Sequence, residues 1–156
     1  MSAEAVAAEI RDAVTTGWGT PPADLDGIAA AHRPPSRDMV KRLYANFDLY
    51  WTAGFLYFAC RDVRAGREDW TRVRRLLAGM AATCAGRLEL WKCAAAAAVL
   101  RKAASAIDDA ETAPEGLDVV DAVVLYLNRL QSWVDASIPW SALDAVAPLD
   151  IRGLKA

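Results

Sequence analysis

The positions of apolar residues along the chain repeat at three and four residues, the period of an amphipathic helix. Ala3, Val6, Ala7, Ile10 and Val14 predict a first helix over 3–15, with Gly17 just past its end. Thr20 and Pro21 have the form of an N-cap followed by proline at the first helical position, predicting a short helix to about Ala31, stopped by Pro34 and Pro35. Ser36 can cap a long helix over about 36–65. On a helical wheel its residues Val40, Tyr44, Phe47, Trp51, Phe55 and Phe58 form one apolar stripe, while Leu49, Tyr50, Leu56, Tyr57 and Cys60 cover much of the remainder. Only Lys41, Ala45, Asp48, Thr52 and Ala59 read as a wet strip. A helix apolar on most sides is surrounded by neighbours, so the expectation is a mostly buried central helix.

Arg64 to Arg67 marks a turn, and Glu68 and Asp69 open another apolar stripe: Trp70, Val73, Leu77, Met80, Cys84, Leu88, Trp91 and Ala95. Its phase holds from 68 to nearly 108, longer than a partner helix can cover, which predicts a kink or break near Gly79 or Gly86. Arg75, Gly79, Ala82, Gly86, Cys93 and Ala97 make a mostly small-residue ridge on the same stretch. Asp108 to Gly116 is an acidic, proline-containing connection, and Leu117, Val120, Val124, Leu127 and Val134 predict a helix over about 117–136. A last helical turn follows Pro139, and the tail from about 148 is expected to be loosely held. With no alternating strand pattern and no internal repeat, the fold class is all-α: a single-domain helical bundle over 1–156.

Composition changes this picture little. The chain has 156 residues, 54% of them hydrophobic, enough for one core without metal or disulfide support. A net charge of −2 gives no general attraction to nucleic acid or anionic membranes. The longest strongly apolar run, Leu49 to Cys60, is 12 residues, short of the roughly 20 needed to span a bilayer. Cys60, Cys84 and Cys93 each lie in apolar helical stretches without CxxC spacing, the profile of buried reduced thiols, so a cytoplasmic location is expected.

The residues that carry chemistry exclude more than they suggest. His32 is the single histidine, and no helix carries a Glu-x-x-His pair, which argues against metal centres and against a Ser-His-Asp triad. No metal site or cofactor is expected. Seven aromatic residues, Tyr44, Phe47, Tyr50, Trp51, Phe55, Tyr57 and Phe58, fall within 15 positions. They are core filling or the wall of a cavity for a flat apolar molecule. Arg87 continues the apolar phase of its helix between Met80, Thr83 and Trp91, and needs either an acid or an anionic ligand; Asp48, Asp62 and Asp121 are its candidate partners. Asp48 is a general acid–base candidate only if desolvated, and its place on the wet strip argues for exposure. Gln131 lies on the inner face of its helix, where its amide serves a ligand or cross-links two helices. Arg61, Arg64, Arg67, Arg72, Arg74 and Arg75, diluted by Asp62, Glu68 and Asp69, form a basic cluster suited to an acidic partner and too thin for nucleic acid.

The expectation from sequence is therefore a cofactor-free domain that binds an organic small molecule or a partner protein beside the aromatic helix. The ligand-contacting set is Tyr44, Trp51, Phe55, Arg87, Trp91 and Gln131. The alternative is a small metal-independent enzyme, a cyclase, isomerase or other tailoring activity, using Arg87, Asp48 or Tyr57. A third is an assembly subunit that self-associates through tryptophans such as Trp18 and Trp140.

Overall fold

The computed structural model describes residues 1–16, 37–90 and 93–137, with side chains over 1–15, 45–90 and 93–136. The predicted helix over 20–31 and the turn after Pro139 lie outside the described residues, as do His32, Trp18 and Trp140. Five helices make up the rest: α1 (Ala3–Thr16), α2 (Arg37–Arg64), α3 (Trp70–Leu90), α4 (Ala94–Asp109) and α5 (Ala113–Ser137). Among the described residues there is no strand, and the fold is an all-α bundle.

Helix ends follow from local chemistry. The Ala5 amide donates to Ser2 Oγ at 3.2 Å, so Ser2 satisfies one of the donors left free at the start of α1. At the end of α2, Gly66 takes a left-handed φ of 74°. Its amide donates to the Val63 carbonyl at 3.1 Å and the Arg67 amide to the Asp62 carbonyl at 2.9 Å. These two bonds close a Schellman motif, for which a residue without Cβ is favoured. Asp69 caps α3 through Oδ1, which accepts from the Thr71 amide at 3.3 Å.

α3 runs unbroken through Gly79 and Gly86, so the predicted break does not fall there. Glycine weakens a helix interior by about 1 kcal/mol but keeps its backbone donor and acceptor, so the ladder survives. The chain instead leaves α3 after Leu90, and α4 begins at Ala94. The two helices share the most extensive contact in the bundle. Small buried residues allow this approach: Ala78, Ala81 and Ala85 on α3, and Ala96, Ala97, Ala103 and Ala106 on α4. The predicted ridge is only partly right, because Gly79 is exposed while Cys93 and Ala97 are buried.

The larger correction concerns which helix is central. α5 contacts all four other helices. Its buried residues come in adjacent pairs, Val119 and Val120, Ala122 and Val123, Tyr126 and Leu127, which give it a broad inward arc. α2, expected to be mostly buried, presents only one side to the core. That side is Ala45, Leu49, Ala53, Leu56 and Cys60, together with Asn46 and Thr52. Ala45 and Thr52, assigned to the wet strip, are thus buried, and the large rings point outward.

Ion pairs join neighbouring helices on the rim. Arg11 pairs with Asp118 (α1 to α5), Lys102 with Glu9 (α4 to α1), Arg64 with Asp121 (α2 to α5) and Arg101 with Glu89 (α4 to α3). Each is substantially exposed, and exposed pairs of this kind add little, so they tune register while burial supplies the stability. Trp70 is the exception among polar contacts. Buried at the α4–α5 connection, its indole Nε1 donates to the Ala110 carbonyl at 2.9 Å. A Cβ at Gly116 would overlap its ring, so close packing there requires glycine.

Candidate functional site: the outward aromatic face of α2

Because Ala45, Leu49, Ala53, Leu56 and Cys60 turn inward, the opposite side of α2 carries Phe47, Tyr50, Trp51, Phe55, Tyr57 and Phe58 at the surface. All six are between 51% and 62% exposed. The rings organise one another. Trp51 stacks on Phe55 with centroids 5.9 Å apart and planes at 30°. Tyr50 meets Trp51 edge-on at 6.2 Å, and Tyr57 meets Phe58 edge-on at 5.5 Å. Arg61 lies over the Phe58 ring, 4.9 Å from its centroid, at the C-terminal end of the row.

Gly54 sits in the middle of this row. A Cβ there would meet no atom of the described residues within 4 Å, so none of them requires glycine. In a helix interior glycine is less stable than alanine by about 0.5–1 kcal/mol. Its absent side chain leaves the floor of a furrow whose walls are the neighbouring rings. The furrow measures about 420 Å³ and reaches Val124 and Asn128 of α5.

A second groove, also about 420 Å³, runs between α2 and α3. It gathers Asp48, Trp51, Phe55 and Arg87, four of the site residues expected from sequence, beside Arg75, Met80 and Thr83. Arg87 Nη1 donates to Asp48 Oδ1 at 3.1 Å. Asp48 is therefore the acid that Arg87 requires, and the pair sits at the solvent edge of the groove with the guanidinium half-exposed rather than buried against the core. Leu76, strongly exposed, extends the apolar rim on the α3 side.

The other expected residues do not converge here. Gln131 Nε2 donates to Asn46 Oδ1 at 2.9 Å, across 85 positions of sequence. It is a helix cross-link between α5 and α2, on the inner side of α2, and does not meet Arg87. Tyr57 belongs to the α5-side furrow and is separated from the Asp48–Arg87 pair by the ridge of Trp51 and Phe55. The side chains of Tyr44 and Trp91 lie outside the described residues. The basic cluster is largely occupied within the chain. Arg64 holds Asp121, Arg67 donates to Asp62 at 2.8 Å, and Arg74 donates to the Ala110 carbonyl at 3.3 Å. Arg75 faces the α2–α3 groove instead of the turn.

The three cysteines are free and buried. Burial pushes the Cys60 thiol up to about 12 and the Cys84 thiol to about 11, so neither is a nucleophile near neutral pH. Among the described residues no three His, Cys, Asp or Glu side chains gather where they could hold a metal ion, and no helix is long and apolar enough to cross a membrane. Sequence reasoning missed Gly54, Tyr50 and Leu76 as surface features. For the two α2 residues no sequence signal decides the side, because the row of Ala45, Leu49, Ala53, Leu56 and Cys60 and the row of rings are both apolar. No protein-family model, curated protein or solved structure matches this chain.

Proposed function

We propose that this domain is a non-catalytic docking module that engages an apolar protein surface through the aromatic face of α2. The observation that carries the reading is the row of six half-exposed rings around a glycine that no described residue requires. Contiguous apolar surface on a folded domain usually marks an interaction site, and Trp and Tyr dominate the energetics of such sites. Small ligands favour concave pockets that bury most of their surface, whereas both grooves beside α2 are partly open to solvent. The catalytic alternative draws less support, because Asp48 and Arg87 neutralise each other at the solvent edge.

The test is photocrosslinking in cells that produce the chain, with a benzophenone side chain at position 58 and, as control, at the exposed position 111. The reading expects a discrete adduct at 58, heavier by the mass of a polypeptide, and none at 111. No adduct at 58, or equal adducts at both positions, overturns it.

A further inference from the structure

We infer that the occupant of this face is a second copy of the chain, with α2 packed antiparallel against α2 and a two-fold axis at Gly54. The inference rests on the docking reading and specifies its partner. In a two-fold interface, a residue a given number of positions before the axis meets the residue the same number after it in the other copy. Five of the six rings on the face of α2 take up that symmetry, while Phe55, one residue past Gly54, is matched by buried Ala53 and stands outside it. Trp51 and Tyr57 lie three residues either side of Gly54, Tyr50 and Phe58 four, and Phe47 and Arg61 seven.

The chemistry at matched positions is complementary as well as symmetric. Tyr50 with Trp51, and Tyr57 with Phe58, are both edge-on pairs, with interplanar angles of 81° and 72°. The axis therefore lies between two similar ring pairs, and ring would meet ring across it. At the ends, Phe47 would receive Arg61 of the second copy, a side chain that already sits over an aromatic face in its own chain. At the centre the two copies meet at the same residue, where a side chain would hold the backbones apart. Gly54 removes that obstacle.

The area is also sufficient. A fully buried aromatic side chain removes about 150–250 Å² from water, so six half-exposed rings offer roughly 500–800 Å². A stable interface buries about 600–1,000 Å² per partner, a range that the rings and the adjoining Arg61 reach.

Light scattering on the full chain should give twice the 16.8 kDa monomer mass, dissociating on dilution. Gly54→Leu, whose Cβ meets no atom of the described residues within 4 Å, should retain full helicity and weaken the dimer about thirty-fold or more. Phe47→Cys and Arg61→Cys proteins, mixed under mild oxidation, should form a disulfide-linked dimer that neither forms alone. A monomer at every concentration, a dimer indifferent to Gly54→Leu, or crosslinking of each cysteine variant with itself overturns the inference. A monomer whose position-58 adduct contains a different polypeptide keeps the docking reading and removes the second copy. A monomer without any adduct removes both.

Discussion

α2 and α5 are the two longest helices of the bundle, and they divide labour in a way their compositions conceal. α2 carries six rings between residues 47 and 58, while α5 carries mostly Val, Leu and Ala in its first five turns. Ring content would make α2 the core helix. Packing makes it α5, because a helix that touches four others must let each approach, and small or aliphatic side chains in adjacent pairs cover a wide arc without holding neighbours away. α2 contributes its smallest side, Ala45, Leu49, Ala53 and Leu56, to the contact with α5. Large apolar residues on the outside then need another explanation, and docking supplies one.

The sharpest way to break this contrast is to truncate one residue from each helix. Leu127→Ala should lower unfolding stability by about 2–5 kcal/mol, as expected for a fully buried leucine. The readout is the urea midpoint at unchanged slope. Gly116→Ala should follow at about 1–3 kcal/mol, since its methyl must displace the Trp70 ring. Tyr50→Ala, tested in the Gly54→Leu background so that self-association does not contribute, should lower stability by only about 1 kcal/mol or less. A loss at Tyr50 matching that at Leu127 would make the rings core after all.

The contrast also shows where sequence reasoning stops. α1 was legible because Val6, Ile10 and Val14 are apolar against a clearly polar opposite face. The pairing of Arg87 with Asp48 was legible as a requirement of charge. For α2 both sides are apolar, so periodicity cannot choose between rings and small aliphatics. The choice is made by tertiary contact, by the fit against α5 and the Asn46 to Gln131 bond that fixes the inward side. The break after Leu90 was hidden for a related reason: the apolar phase continues from α3 into α4, and a helix reversal that preserves the buried face leaves the pattern intact. Glycine, the residue expected to break it, does not.

Smaller effects should come from titration. Folding raises the thiol pKa of Cys60 and Cys84 through burial, so their contribution is level below the unfolded thiol pKa of about 8.5. Stability is then lost as pH rises from there toward 11–12, where the unfolded chain alone forms thiolate. At pH 8 a thiol reagent should label all three cysteines only at the rate of unfolding. The smallest effect belongs to Asp118, whose bonds from Arg11 hold its carboxyl below the usual range. That contribution is present above about pH 4 and disappears as pH falls through the lower folded value, so Asp118→Asn should flatten the acid limb by less than about 1 kcal/mol.

The position of α5 in the chain has a consequence for synthesis. It is the last of the five helices to leave the ribosome, yet α1 rests chiefly on it and only secondarily on α4. α1 thus lacks its main partner while about a hundred further residues are translated. Until then the rings of α2 and the inward faces of its neighbours are solvent-accessible together. A released chain ending before residue 113 should therefore be far more exposed to chaperones and proteases than one that runs past residue 137.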